Sequence, residues 1–128
     1  ASGRTLGLYD FETDTRTEIA PGGDLDGAVI IEPSWSRTDE RRIAVRASIG
    51  TGLPDIWILD LDDLDNPVNV TNTPTVAESF PCWSPDDSRI AFNAGGFGTG
   101  AVTIQVMNAD GTGRATLSNE GAYPAWRR

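Results

Sequence analysis

The sequence contains no histidine, one cysteine, one methionine and no lysine, since all ten of its basic residues are arginine. Without histidine, no Ser-His-Asp or Cys-His nucleophile system and no histidine-ligated zinc site forms within this chain. The lone Cys82 has no internal disulfide partner, so cysteine content assigns no redox compartment. Positive charge is scarce: ten Lys+Arg stand against nineteen Asp+Glu, a formal charge of -9. Gripping a nucleic-acid backbone or an anionic membrane face needs the opposite excess. No apolar run approaches the roughly 18 residues of a membrane-spanning helix, and residues 1–20 lack a basic segment followed by a long apolar one. The expectation is no nucleic-acid partner, no direct membrane insertion and no catalytic set. At 128 residues the chain is read as one domain.

A 3.6-residue apolar period is missing as well; no segment sustains it for the ten or more residues of a core helix. What is present instead is a series of short runs rich in β-branched and aromatic residues: Leu6 to Phe11, Ala28 to Ile31, Arg42 to Ala47, Asp55 to Leu61, Arg89 to Asn93 and Ala101 to Met107. Fourteen glycines and eight prolines are spread among them. This pattern predicts an all-β chain.

The runs repeat. Pro33-Ser34-Trp35-Ser36 returns as Pro81-Cys82-Trp83-Ser84 and as Pro124-Ala125-Trp126, with the tryptophans 48 and 43 residues apart. Arg42-Ile43-Ala44-Val45 returns as Arg89-Ile90-Ala91-Phe92. Ile56-Trp57-Ile58-Leu59-Asp60 matches Ile104-Gln105-Val106-Met107-Asn108 and the earlier Leu6-Gly7-Leu8-Tyr9-Asp10. A polar turn and a short strand follow each: Thr17 to Ile19, Val68 to Thr71 and Ala115 to Ser118. A period in the forties with several aligned points predicts four-stranded antiparallel units, the blades of a β-propeller. Each unit has an inner strand a through Pro-x-Trp, then strands b, c and an outer d. A single blade covers neither of its own faces, so neighbours must stack. Trp35, Trp83 and Trp126 are the expected fillers between sheets, with Pro33, Pro81 and Pro124 marking the repeat. The domain reading is a partial propeller over 1–128: strands c and d in 1–27, a blade in 28–75, a blade in 76–120, and the first strand of a further blade in 121–128. The a–b turn between Arg37 and Arg42 is one residue longer than its counterpart and lacks its proline, so it is expected to be looser.

At these residues the sequence resembles the TolB-like family of propeller repeats, also called WD40-like or PD40 repeats. Its pattern of Pro-x-Trp-Ser-Pro-Asp-Gly, Ile-Ala-Phe and Val-Met-x-x-Asp-Gly appears here as Pro81 to Asp87, Ile90-Ala91-Phe92 and Val106 to Gly111. The first copy, from Pro33 to Thr71, departs from it, with Arg37-Thr38-Asp39 in place of Pro-Asp-Gly and Asp62-Asp63 in place of Asp-Gly. The resemblance implies a bacterial envelope or secreted setting, periplasmic or extracellular, and a protein-binding role. Eleven expected strands make fewer than three blades, which leaves two ways to complete a ring: further blades of a longer chain, or other subunits.

Several residues invite a functional reading. Asp60, Asp62, Asp63 and Asp65 could supply oxygen ligands to calcium, but the spacing lacks the glycine and distal glutamate of an EF-hand; the segment is read as a solvated c–d turn, and no cofactor is expected. Gly95 to Gly100 lacks the strand-to-helix context of a phosphate loop. Phe97 at its tip is the candidate loop contact. Asn69-Val70-Thr71 is a formal glycosylation acceptor on an expected strand, and Cys82 occupies a position that asks for a small residue. The reading that follows is a non-catalytic propeller segment acting as a protein-protein interaction scaffold. The alternatives are the substrate-gating propeller of a larger prolyl-oligopeptidase or tricorn-like peptidase, and a carbohydrate-binding or polysaccharide-processing propeller.

Overall fold

The computed structural model describes residues 5–96 and 100–127. Within them ten strands form three antiparallel sheets that follow one another along the chain. The first is a hairpin of β1 (Leu6–Asp10) and β2 (Thr15–Ile19). The second is a four-stranded blade of β3 (Val29–Trp35), β4 (Arg42–Ser48), β5 (Asp55–Asp60) and the short β6 (Val68–Asn69), paired in sequence order. The third repeats it with β7 (Glu78–Trp83), β8 (Arg89–Gly95), β9 (Val102–Asn108) and β10 (Ala115–Ser118). Strand β1 stands in the place of β5 and β9, a strand c that pairs with its strand d among the described residues. The chain is thus an all-β succession of propeller-type blades.

Alternation within the strands explains the stacking. Successive residues of a strand point to opposite faces, and in the middle blade both faces are buried. Ile43, Val45, Ala47, Trp57 and Leu59 pack with Leu6, Ile19 and Leu25 of the first hairpin and its connection. Ala44, Ile56 and Val70 face the other way, onto Trp83, Ile90, Phe92 and Met107 of the next blade. Leu25 reaches its core through a 3-10 turn at Gly23–Leu25, an element with no sequence signal. The β9–β10 turn also presses on its neighbour. Gly111 sits at φ +88, where a Cβ would come within 2.3 Å of the Val70 carbonyl oxygen, so both conformation and space demand glycine.

Three expectations need correction. No strand is assigned in 121–127, because the segment has no b strand beside it to complete a ladder. It is nevertheless held as an inner segment: the Trp126 indole Nε1 donates to the Cys82 carbonyl at 2.9 Å, just as Trp83 Nε1 donates to the Ser34 carbonyl at 3.1 Å. Second, the repeat tryptophans are not equivalent fillers. Trp83 is fully buried and Trp126 half-buried, but Trp35 is 41% exposed, because among the described residues no inner strand precedes β3. Third, the long a–b turn after Trp35 is strongly tied. Asp87 of the next blade holds it through four hydrogen bonds.

Candidate functional site

The inner strands β3 and β7 each carry a bulge, with the register shifting between Ile31 and Ser34 and between Ser79 and Cys82. Proline causes it. Pro33 and Pro81 have no N–H to give the ladder, and they fall on edge strands, where that loss is tolerated. The residue before each repeat proline takes a left-handed backbone: Glu32 at φ +56, Phe80 at φ +52 and, before Pro124, Tyr123 at φ +59. This conformation costs a non-glycine residue on the order of 1–2 kcal/mol. Its recurrence once per repeat marks these positions as a built feature of the inner edge.

The preceding repeat fixes the two later strained residues, Phe80 and Tyr123, from the side. Glu32 Oε2 accepts the Phe80 N–H at 2.8 Å, and Asn93 Oδ1 accepts the Tyr123 N–H at 3.0 Å. Glu32 is itself held by Arg46 at 3.0 Å. Arg46 and Asn93 occupy the same position on β4 and β8, so two chemistries answer one need. The neutral amide of Asn93 reaches the N–H directly, while Arg46 acts by orienting a carboxylate. The Phe80 and Tyr123 rings then meet edge to face, 4.5 Å between centroids at 76°. Tyr123 is 68% exposed, so the row presents an ion pair, a half-buried aromatic and an exposed one in succession.

Two carboxylates fasten the seam between blades that carries this row. Asp87, in the β7–β8 turn, is buried, yet Ser36 Oγ at 2.6 Å, the Arg37 N–H at 2.6 Å, the Thr38 N–H at 2.8 Å and Thr38 Oγ1 all donate to it. Burial alone would raise its pKa; the four donors overcome that and hold it down at about 2. At the other end Glu78, with no exposed surface, accepts from Arg114 Nη2 at 2.7 Å and from Thr73 Oγ1, both on Oε1, while its Oε2 has no partner among the described residues. Burial pushes the Glu78 pKa up, helped by the charge of Asp55, and the bonds from Thr73 and Arg114 offset only part of it. Arg114 reaches Glu78 across the ring of Phe92, 5.0 Å from its centroid.

The aspartates proposed for calcium are occupied by local work. Asp60 accepts the Asp62 N–H, Asp62 pairs with Arg41, Asp63 accepts from Asn66 Nδ2, and Asp65 lies against Gly22. Among the described residues no group of three or more Asp, Glu or Cys side chains converges as a metal site. Asn69 and Thr71 both bond to Asp55, and Cys82 is a free, half-buried thiol whose carbonyl serves Trp126. Phe97 lies outside the described residues. Sequence reasoning picked out the three prolines but not the residues before them. The repeated signal was there, a bulky or charged residue preceding each proline, but identity differs at every copy.

Comparison with solved structures decides the fold. A protein described as TolB from Agrobacterium tumefaciens matches with a TM-score of 0.76 at 21% identity, over 95% of this chain and 46% of that one. The fold is that of a TolB-type β-propeller. TolB from Acinetobacter baumannii matches with a TM-score of 0.70 at 22% identity, over 91% of this chain and 27% of its own. The chain therefore spans less than half the length of the TolB structures it resembles. No protein-family model matches the sequence, and neither does any curated protein.

Proposed function

We propose that this chain is a non-catalytic TolB-type propeller segment that presents its inner edge to a protein partner in the bacterial envelope. The observation that carries the reading is the row Glu32, Phe80 and Tyr123. Strained backbone is retained at the same point of three repeats, and each of the two later positions is fixed by an acceptor from the repeat before. Strain of this kind concentrates where a surface must be held ready. The row offers an aromatic edge and one ion pair, groups suited to a polypeptide; interface cores favour aromatics and arginine in this way. The fold likeness to TolB proteins supports the envelope setting, and their greater length supports further blades within a longer polypeptide.

The test is site-specific photocrosslinking in envelope extracts, with a photoreactive phenylalanine placed at 123 and, as a control of similar exposure, at 117 on outer strand β10. A discrete protein adduct from 123 and none from 117 is the expected result. Equal labelling from both positions would refute an inner-edge site.

A further inference from the structure

The two seams between sheets are built alike, yet one is plugged by leucine side chains and the other is open. In each, the c–d turn of one blade leans on the sheet before it. In the middle blade that turn is Leu61 to Pro67, whose Leu64 carbonyl accepts the Gly22 N–H at 3.0 Å. Leu61 and Leu64 pack into the core that holds Leu8 and Ile19 of the first hairpin. By register, Leu8 and Ile19 are the counterparts of Ile58 and Val70 in the next seam. There the turn is one residue shorter, Ala109 to Arg114, and of its apolar side chains only Ala109 meets the core. Its close approach to the Val70 carbonyl is made by Gly111, which has no side chain to reach further. A groove of about 470 Å³ remains between the two four-stranded blades, walled by Ile58, Val68, Val70 and Ala109. Val68, on the outermost strand of the middle blade, is 55% exposed. The rim is acidic. Asp60 accepts the Asp62 N–H and Asp110 accepts from Thr112, and neither forms an ion pair among the described residues. The arginine beside them, Arg42, is engaged by Asp39 at 3.0 Å and lies over the Trp83 ring.

We propose that this groove docks a segment of a second protein that inserts leucine-type side chains between the blades and sets a basic residue against Asp60 and Asp110. The plugged seam shows what fits: two aliphatic side chains three residues apart on a turn, as Leu61 and Leu64 are. Burying them against Ile58, Val68 and Val70 supplies the affinity. The two rim carboxylates, on a chain of formal charge -9, select a cationic flank and attract it from a distance. The site lies between two complete blades, away from the row of Glu32, Phe80 and Tyr123, and stands independently of the inner-edge function.

The experiment uses the intact chain with its isoleucine and valine methyl groups followed by NMR, and an acetylated Ala-Leu-Arg-Arg-Leu-Ala amide as probe. Titration is expected to shift the methyl signals of Ile58, Val68 and Val70 and to leave Val45, in the plugged seam, unmoved. A probe with both leucines replaced by alanine should bind about tenfold more weakly. Ala109→Leu, which supplies the side chain that the first seam carries at Leu61, should fill the groove and weaken the parent probe about tenfold. Asp110→Asn, which removes a rim charge and keeps an acceptor for the turn, should weaken it about threefold at low salt, a difference that high salt erases. Unmoved Ile58 and Val68 signals at millimolar probe overturn the proposal, and so does undiminished binding by a folded Ala109→Leu chain or by Asp110→Asn at low salt. Shifts of the same signals on concentrating the chain without probe would put a second copy in the groove and overturn it as well.

Discussion

Asp87 and Glu78 are both buried carboxylates of one blade, each helping to fasten the seam to the blade before, and they meet burial in opposite ways. Asp87 gives each of its oxygens to donors on the Ser36–Thr38 turn and stays ionised far into acid. Glu78 concentrates its bonds on Oε1, leaves Oε2 without a partner among the described residues, and has its pKa raised. Glu78 lies deeper, with no exposed surface, and its desolvation outweighs its donors, whereas at Asp87 the four donors outweigh desolvation. A buried charge is held cheaply only where its lone pairs are met, and the turn that departs from the repeat pattern supplies donors to both oxygens.

The largest effect should come from breaking the well-satisfied end. Asp87→Ala removes the acceptor of four bonds and leaves the N–H groups of Arg37 and Thr38 to find other partners; the expected loss is about 3 kcal/mol in urea unfolding at pH 7. Asp87→Gly should lose about 1 kcal/mol less, because residue 87 sits at φ +58, where glycine carries no steric penalty. Equal losses for the two variants would mean that the left-handed backbone of Asp87 is not strained.

Acid should separate the two carboxylates, because their shifts have opposite sign. The folded pKa of Asp87 lies at about 2, below the ordinary 3.8. Its stabilisation is therefore complete above 3.8 and disappears as pH falls toward 2, a change on the order of 2 kcal/mol. Glu78 has a folded pKa above its ordinary 4.5. The folded state binds its proton more tightly, so its contribution grows as pH falls from neutrality toward 4.5. In difference curves against the parent, Asp87→Asn should converge with it below pH 4. Glu78→Gln should instead differ most in slope just above pH 4.5. Parallel curves for the two variants would remove the contrast.

The turn itself provides a finer test. Arg37 stands where the repeat pattern has proline, and its N–H is one of the donors to Asp87. Asp87 in turn stands where the pattern has glycine, so two departures from one motif meet across the seam. Arg37→Pro should cost about 1 kcal/mol in the parent and close to nothing in an Asp87→Gly background. Additive losses in that double-mutant cycle would show the two departures to be unrelated.

That pairing also marks how far the sequence could be read. The all-β class and the strand order within each blade follow from local patterns, because period-2 alternation and turn residues act over a few positions. The grip of Asp87 on a turn some fifty residues earlier follows from no local rule. Its length and missing proline pointed to looseness, and only the neighbouring blade supplies what restrains it. The inner-edge row was half legible. The prolines announced a bulge, but the acceptors that fix Phe80 and Tyr123 come from β3 and β8 of the repeat before. The exposure of Trp35 is likewise a property of its surroundings, where among the described residues no inner strand precedes β3, and its motif is as good as that of Trp83.

The smallest predicted effect belongs to the poorly satisfied end and sharpens the comparison most. Glu78→Gln keeps the shape and leaves Oε1 able to accept from Thr73 and Arg114. It gives up an ion pair whose other member is 24% exposed, and it relieves the desolvation of a full charge. Replacing a buried ion pair often leaves stability little changed, because desolvation had offset most of its attraction. The expected loss at pH 7 is therefore under about 1 kcal/mol, a fraction of that for Asp87→Ala, measured in the same urea series. A loss as large as that of Asp87→Ala would mean that Arg114, spanning Phe92 to reach Glu78, fastens its end of the seam as firmly as four donors fasten the other.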